Sequence, residues 1–546
     1  MRRRSSAKVS IIVGGLLAAV CAAPACGGGS PSGFGSGFGS SNGGSNGGGN
    51  GSSGGNGGSG AGGSGAPILG AGSGGSSSSG GGTSDGGVPC PAGLQCNVQC
   101  SGGGSTTVTG TVYDPAKKNP LYNVAVYVPA VPLEPLPKGV PTGADACSCS
   151  ALFKSGALSS TTTAVDGTFT LTDVPVGSQV PLVLQIGKWR KLLKINVSSC
   201  TANPQPDKSL ALPGTIASGD TDDNMPDIAV STGTADSLEC LMVRMGIPGA
   251  EYVAGTGSPG HVHVFSGGNP TGGFGGGMGA GRPEKPGMAG APESDTTLWD
   301  SQAHLMPYDI LLLSCEGGET YNANPAVLES YLNAGGRAFG SHFHYAWFSG
   351  PLGSGQSYAA PTDWGSNLAT WAAGAGMNNG SIGGTIVQTL NGSSAPFPKG
   401  VALSQWLGKV NALGQNGVPA AELSIFQPRF NATVGPSNVA SQPWISADSA
   451  SGNSGATMYF SFDTPVNAPK QPDGGPPNYC GRAVFSDLHV AGDPLTSDTP
   501  NPPTGCATTD LSPQEKALEF MLFDLSSCVI PDTAQPPTMV PPPPPK

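Results

Sequence analysis

The fold of the larger part of this chain is decided by residues 327–345, which read VLESYLNAGGRAFGSHFHY. Apolar residues first recur at helical spacing from Val327 to Leu332, and Gly335 and Gly336 then stop the helix. The residues from 337 to 345 follow as a strand. A helix that leads directly into an apolar strand indicates a domain in which the two kinds of element alternate.

The elements on either side continue this alternation. Short apolar runs between turn residues predict further strands, at residues 227–230, 308–313 and 481–490. A helix is predicted after Asp236, which would form a capping box with Glu239, and the last helix begins with the capping box and proline of residues 512–515. Together these elements predict an α/β fold with a doubly wound parallel sheet over residues 227–530.

Three of these stretches resemble motifs of the ThuA-like family, which is named for trehalose utilisation and has the class I glutamine-amidotransferase-like fold. They read YDILLL at 308–313, LNAGGRAFGSH at 332–342 and GRAVFSDLH at 481–489. Long insertions at 266–297 and 349–420 interrupt the resemblance. It implies a sugar-processing enzyme, and in sheets of this kind the ligand binds beyond the carboxyl ends of the strands.

Residues 106–197 have a different pattern, in which apolar and polar residues alternate over short runs. Val108 and Val112 alternate with threonines, and Phe169 and Leu171 do so after the turn signal at residues 166–167. This alternation predicts an antiparallel all-β sandwich in which each sheet buries one face. The sandwich is placed at residues 90–205, followed by a linker at 206–226.

This first part resembles the carboxypeptidase regulatory-like family, whose domains are transthyretin-type sandwiches. The stretches that carry the resemblance read VTGTVYD at 108–114, PLYNVAV at 120–126, DGTFTL at 166–171 and VPVG at 174–177. Such domains are usually non-catalytic spacers or adhesion modules, and related sandwiches bind carbohydrate. Residues 188–191, KWRK, are interpreted either as a ligand contact or as a solvated strand end with one packed tryptophan.

The N-terminus has the order of a bacterial signal peptide. Three arginines and Lys8 come first, an apolar run follows to Ala19, and Cys21 and Cys26 lie among small residues. The run is shorter than the roughly 20 apolar residues that a membrane-spanning helix needs. Because a cysteine at this point resembles the lipobox of bacterial lipoproteins, residues 1–26 are predicted to be a lipoprotein signal peptide, with the lipid on Cys26 or Cys21. Ordinary secretion, by cleavage before Cys26, is the alternative.

Residues 27–89 are almost wholly Gly, Ser and Asn. Such a segment cannot bury enough apolar surface to offset the entropy of ordering it, so we expect a disordered tether. A Pro-rich tail occupies residues 531–546. The chain is therefore predicted to lie in the cell envelope, lipid-anchored to a membrane, and the small residues after either cysteine favour the outer membrane or cell surface.

Charge and cysteine content narrow the partners and the compartment. Charged residues make up 11% of the chain and the net charge is −11, which argues against nucleic acid as a partner. Six cysteines flank or interrupt the first part and five lie in the second, so one of the five stays free or pairs across the two parts. In an exported chain we favour disulfides over zinc for the closely spaced cysteines, which are Cys96 with Cys100 and Cys147 with Cys149.

The histidines are the candidates for metal binding, since all six lie between residues 261 and 489. On a strand, a His-x-His pair puts both rings on the same face, where they can chelate a divalent metal. Two pairs have this form: His261 with His263, and His342 with His344. Asp487 or Glu316 could complete the ligand set.

The catalytic candidates are His342 and His489, which fall at the carboxyl ends of predicted strands, and Ser341 beside His342. No Gly-x-Ser-x-Gly elbow surrounds Ser341. Amidotransferase relatives carry a cysteine at this turn, so their thiolate chemistry is absent here. Cys315 follows the preceding strand and is interpreted as a disulfide partner or a buried thiol.

Two functions remain open at this point. The first, which we favour because it accounts for the tether, the disulfides and the missing nucleophile, is a surface binding or scaffold lipoprotein that engages a glycan or another envelope protein. The second is a ThuA-like enzyme that acts on a sugar through its histidine cluster, with or without a metal. Histidines that converge with a carboxylate would favour the enzyme, and scattered histidines would favour the binding protein.

Overall fold

The computed structural model describes residues 90–233, 235–267, 288–353, 355–373, 380–448, 452–453, 455–472, 477–490, 506 and 509–534. The predicted signal peptide, its lipidated cysteine, the tether and most of the Pro-rich tail lie outside these residues. Thr83–Lys546 form one compact unit. No helix within the described ranges is long and apolar enough to cross a membrane.

The first part of the unit contains two four-stranded sheets. Its strands are β1 (Thr107–Tyr113), β2 (Ala125–Pro129), β3 (Ala157–Thr162), β4 (Thr168–Leu171), β5 (Gly177–Ile186), β6 (Trp189–Val197), β7 (Ala202–Pro204) and β8 (Leu210–Ala211). One sheet has the order β4-β1-β7, with β8 also paired to β1, and the other has the order β3-β2-β5-β6. In β4, Phe169 and Leu171 are buried while Thr168 and Thr170 are exposed, as the alternation predicts.

The second part is built around a ten-stranded sheet. Its strands are β9 (Ile228–Thr232), β10 (Tyr252–Ala254), β11 (Val262–Ser266), β12 (Ile310–Leu313), β13 (Arg337–Ser341), β15 (Ser381–Ile386), β16 (Leu423–Phe426), β18 (Ser441–Ala447), β19 (Thr457–Thr464) and β20 (Gly481–Ser486). Two short strands, β14 (Thr370–Trp371) and β17 (Ala432–Thr433), pair separately. The order in the large sheet is β10-β11-β9-β12-β13-β20-β19-β18-β15-β16.

The large sheet is mixed, which corrects the prediction of a wholly parallel sheet. The six strands from β10 to β20 in this order are parallel, and β19, β18, β15 and β16 continue the sheet antiparallel. Because antiparallel neighbours need only a short connection, the nine residues 448–456 are enough to join β18 to β19. These four strands lie at residues 381–464, for which the sequence pattern predicts no strands or helices.

Within the described ranges, helices are few and mostly short. They are α1 (Leu238–Arg244), α2 (Ser294–Thr297), α3 (Gln302–Leu305), α4 (Pro325–Asn333), α5 (Tyr345–Ser349), α6 (Pro398–Lys409) and α7 (Pro513–Ser526). The start of α7 is confirmed, since the Ser512 hydroxyl accepts the Glu515 amide and the Glu515 carboxylate accepts the Ser512 amide. The predicted cap at Asp236 is wrong, because α1 has Ser237 as its N-cap residue.

Helix α7 packs against the first part of the unit. Its Phe520 stacks on Tyr122, and its Phe523 lies 5.7 Å from Trp189 between ring centroids. One hydrophobic core therefore contains side chains from both small sheets, from α7 and from one face of the large sheet. This shared core fixes the first part against the sheet that carries the histidines.

Five disulfides join the described cysteines: Cys90–Cys96, Cys100–Cys200, Cys147–Cys480, Cys149–Cys528 and Cys240–Cys506. Two of them, Cys147–Cys480 and Cys149–Cys528, tie the two parts of the unit together. The preference for disulfides over zinc is confirmed for the closely spaced cysteines, since Cys96 pairs with nearby Cys90 and the others pair with partners at least 100 residues away. Cys315 is the free cysteine of the described residues, and it is buried.

Candidate functional site

Four neighbouring parallel strands of the large sheet, β9, β12, β13 and β20, end at one edge, the carboxyl edge. Each strand is followed within a few residues by a polar side chain that turns out to be buried. These side chains are Asp236 after β9, Cys315 after β12, His342 after β13 and His489 after β20. Because adjacent parallel strands bring their ends together, the four side chains meet although they are far apart in sequence.

Three of them form a compact group, the Cys–His–His cluster of Cys315, His342 and His489. The Cys315 Sγ lies 3.1 Å from Nδ1 of His342. The two imidazole rings are 5.1 Å apart between centroids. One donor atom from each of the three residues lies within 4.8 Å of the other two. A thiol and two imidazoles therefore converge on one point inside the protein.

Asp236 lies behind this cluster and is held by three groups. Its Oδ2 accepts the Ser341 hydroxyl at 2.6 Å, and its Oδ1 accepts the Val490 amide at 3.1 Å. The same Oδ1 is 3.4 Å from Nδ1 of His489. This arrangement explains why Asp236 does not cap α1, since its carboxylate oxygens are already engaged by β13 and by the chain after β20.

Burial keeps the cluster uncharged. Loss of solvent lowers the pKa of His342 to about 2, and the positive charges of His489 and Arg429 act in the same direction. Burial also lowers the pKa of His489, although the Asp236 carboxylate opposes that change. The pKa of the Cys315 thiol is raised, again mainly by burial. At neutral pH the cluster thus holds a neutral thiol and neutral imidazoles, so Cys315 is not an activated thiolate.

The backbone at His342 explains why the predicted His342/His344 chelate does not form. Strand β13 ends at Ser341, and His342–His344 form a single 3₁₀ turn that begins with a left-handed φ of 47° at His342. The two rings therefore separate. His344 turns away, with Nδ1 2.9 Å from the Ser341 carbonyl oxygen and Nε2 3.8 Å from a Glu316 carboxylate oxygen.

The other predicted pair lies at the opposite end of the sheet. His261 directly precedes β11, and its neighbour Val262 is paired with the first residue of β9. Nδ1 of His261 is 2.6 Å from Oε2 of Glu251, and Nδ1 of His263 is 2.8 Å from the Gly255 carbonyl oxygen. The structure thus separates the four predicted metal-binding histidines into one pair at each end of the strands.

The remaining candidates, Ser341 and Asp487, are both buried at the carboxyl edge. The Ser341 hydroxyl donates to Asp236 and is oriented by it. Asp487 accepts the backbone amides of Asn431 at 2.7 Å and Ala432 at 3.3 Å. Burial raises the pKa of Asp487 to about 8, against the effect of these two amides.

Sequence reasoning missed the roles of Cys315 and Asp236. The sequence predicts Cys315 to be a disulfide partner or a buried thiol, and the second alternative is confirmed, but it gives no sign that the thiol meets His342; it predicts Asp236 only as a helix cap. A usable signal was present, since Cys315 comes two residues after a predicted strand and so lies at the same edge as His342. Treating every strand end of the predicted parallel sheet as one edge would have grouped the two residues.

A cavity of about 90 Å³ lies at the other end of the sheet, between the two parts of the unit. Its lining includes Lys188, Arg337 and two disulfides. Both cations already have partners within the protein, because Lys188 donates to Asp309 and to two carbonyl oxygens, and Arg337 donates to carbonyl oxygens of three different segments. The cavity therefore has little polar capacity left for a ligand.

Comparison of the chain with protein-family models, with curated proteins and with solved structures finds no match.

Proposed function

We propose that this protein is an envelope enzyme that processes a sugar, with its reacting groups at the carboxyl edge of the parallel strands. The observation that carries the proposal is the convergence of His342 and His489, 5.1 Å apart between ring centroids, with the Asp236 carboxylate 3.4 Å from His489. Convergence of imidazoles with a carboxylate is the arrangement that acid–base chemistry needs.

Asp236 supports a specific role for His489. A carboxylate next to Nδ1 favours the tautomer that carries its proton there, so Nε2 is left as the acceptor. Within the described residues, Nε2 of His489 is buried and has no hydrogen-bond partner. This nitrogen is therefore free to take a proton or to bind an electrophile. Ser341 acts as a positioning residue, because its hydroxyl fixes the Asp236 carboxylate.

The left-handed backbone at His342 gives further support. His342 is one of 14 non-glycine residues in the described chain with a positive φ, so what matters here is where this conformation directs the ring. Here the conformation ends β13 and directs His342 toward Cys315 and His489, while His344 turns toward Glu316. A simple extension of the strand would have placed both rings on one face.

The proposal includes the architecture and the location inferred from the sequence. The two small sheets, which share one core, fit a carboxypeptidase regulatory-like sandwich, and the six parallel strands fit a ThuA-like doubly wound sheet. Five disulfides fit an oxidising compartment. We place the protein in the cell envelope, held to a membrane by a lipid on Cys26 or Cys21.

The test is turnover of a panel of disaccharides, trehalose included, by the full chain, followed by chromatography of the products. A His342→Ala/His489→Ala variant should lose turnover, and His304→Ala should keep it, because His304 is exposed and pairs only with Asp300 among the described residues. Near-ultraviolet circular dichroism checks that both variants are folded. Equal turnover in the double variant and the wild type would contradict the proposal.

A second candidate, a surface binding or scaffold protein for a glycan or an envelope partner, is favoured by one observation. His342 and His489 are 5% and 3% exposed, and Cys315 is fully buried. A binding protein does not need access to these groups. Binding of disaccharides without turnover, equally in the wild type and the double variant, would support this candidate over the enzyme.

A further inference from the structure

We infer that the Cys–His–His cluster binds one zinc-type divalent transition metal through Cys315 Sγ, His342 Nδ1 and His489 Nε2. This inference deepens the proposed function, because it names a cofactor for the same site, but the binding itself does not require that the protein be an enzyme. Thiolate and imidazole are the ligands that zinc and its neighbours prefer, whereas calcium and magnesium prefer oxygen.

The distances in the cluster are close to those of a metal site. In a tetrahedral zinc site with Zn–S of about 2.3 Å and Zn–N of about 2.1 Å, sulfur and nitrogen lie about 3.6 Å apart. The Cys315 Sγ and His342 Nδ1 atoms are 3.1 Å apart, and one donor atom from each of the three residues lies within 4.8 Å of the other two. Cys315 and His342 are thus already near the spacing of two ligands of one metal, and His489 lies close enough to be the third.

Unsatisfied hydrogen bonding gives an independent argument. The contact between Cys315 and His342 satisfies one donor and one acceptor, but Nε2 of His489 has no partner in the part of the chain that the structure describes. A buried polar atom without a partner costs free energy, and a ligand that contacts it removes that cost. A metal ion at the centre of the cluster would satisfy all three residues at once.

Asp236 completes the arrangement in the way expected for a metal-bound histidine. Its carboxylate lies next to Nδ1 of His489, on the side of the ring away from Nε2. A carboxylate in this position orients the ring and strengthens the ligand, and its loss typically weakens metal binding by about 10–100-fold. The Ser341 hydroxyl and the Val490 amide hold this carboxylate in place.

Charge also balances. Metal binding replaces the S–H bond of Cys315 with an S–metal bond and releases the proton to solvent, so the cluster gains a thiolate. Together with the Asp236 carboxylate, the thiolate neutralises a divalent ion in a buried site. Three protein ligands leave a fourth position for water or substrate, as in catalytic zinc sites, and this is the feature that would serve the proposed enzyme.

Cobalt(II) is the probe, because its thiolate complexes have a charge-transfer absorption that zinc complexes lack. We expect the metal-free full chain to take up one equivalent of Co²⁺ with this absorption, and added Zn²⁺ to remove it. The Cys315→Ser variant, which is nearly isosteric, should lack the absorption. His304→Ala, the exposed-histidine control, should bind as the wild type does.

Asp236→Asn tests the supporting carboxylate, since an amide oxygen still accepts from Ser341. It should keep the absorption but weaken Co²⁺ binding by about 10–100-fold. No thiolate absorption in the folded wild-type chain, or the same absorption in Cys315→Ser, would overturn the inference. Sugar turnover by a chain that binds no Co²⁺ would overturn it and leave the proposed function standing. Thiolate absorption without turnover would support it and count against the enzyme.

Discussion

The buried ion pair between Lys188 and Asp309 joins the two parts of the unit and allows a quantitative test of how they are held together. The Lys188 Nζ lies 2.5 Å from Oδ1 of Asp309 and donates to the carbonyl oxygens of Pro137 and Gly139. The two side chains are 9% and 12% exposed. Burial raises the pKa of Asp309, and the Lys188 ammonium opposes that rise.

Lys188→Met removes the charge and keeps most of the volume. It leaves a buried carboxylate without its cation, and breaking a buried pair in this way costs about 3–5 kcal/mol. We expect the lower end of this range, because the neighbouring cavity of about 90 Å³ lets water approach Asp309. The decrease in the free energy of unfolding should be larger at pH 8 than at pH 5. Without Lys188 the folded state binds a proton on Asp309 more tightly, and this proton, which removes the buried charge, is more available at pH 5.

Equilibrium urea unfolding of the oxidised chain, followed by tryptophan fluorescence, measures the free energy of unfolding. The matched control is Lys118→Met, because Lys118 pairs with Asp510 at the surface and such pairs contribute about 0–1 kcal/mol. Lys188→Met/Asp309→Asn should recover part of the loss, since asparagine is neutral and still accepts the Asp227 amide. Losses below about 1 kcal/mol for Lys188→Met, or strictly additive losses in the double variant, would refute the reasoning.

Three further predictions concern stability. Gly187→Ala should lower the free energy of unfolding in urea by at least about 2 kcal/mol, because Gly187 has a left-handed φ and a Cβ there would lie 1.8 Å from the Ser526 carbonyl oxygen. Gly143 also has a left-handed φ but open space around it, so Gly143→Ala should lower the free energy of unfolding by less. Equal decreases in the two variants would contradict this. Ser512→Ala should lower the free energy of unfolding by about 1 kcal/mol, because it removes the N-cap of α7, whereas Ser512→Gly should lower it by only a few tenths. No difference between the two variants would count against a role of the cap. Burial and a neighbouring carboxyl group raise the pKa of Glu519 well above 4.5, so the folded state keeps a proton that the unfolded chain loses. The free energy of unfolding should therefore decline as the pH rises above 4.5, and it should decline less in Glu519→Gln. Identical pH profiles of the two proteins would contradict this prediction.

The strands and helices that could be predicted from the sequence are those whose residues alternate or recur regularly. Helix α7 begins at its capping box as predicted, and β4 buries alternate residues, because both depend on local chemistry. The antiparallel half of the large sheet could not be predicted in this way. Strands such as β19 are buried on both faces, so they have no alternation that would mark their place.

The site was only half predictable, because it depends on which strands are neighbours. His342 and His489 were identified from strand ends, but their contact requires β13 and β20 to be adjacent, which is a property of the whole sheet. Residues 188–191 show that burial of a polar stretch also depends on distant parts of the chain. The KWRK stretch looks like a surface patch, yet Trp189 and Arg190 are almost fully buried because α7 and residues 221–224 cover them.

The two ends of the large sheet differ in a way that bears on function. At the amino end, Cys480 and Asp309 precede β20 and β12 and are tied to the first part of the unit by a disulfide and by an ion pair. At the carboxyl end, the structure retains a left-handed residue at His342 and an unsatisfied nitrogen on His489. At the carboxyl end, both features lie beside Cys315 and Asp236, in one group of side chains that has the donor atoms to hold a metal ion. The carboxyl edge is therefore where a ligand should be sought.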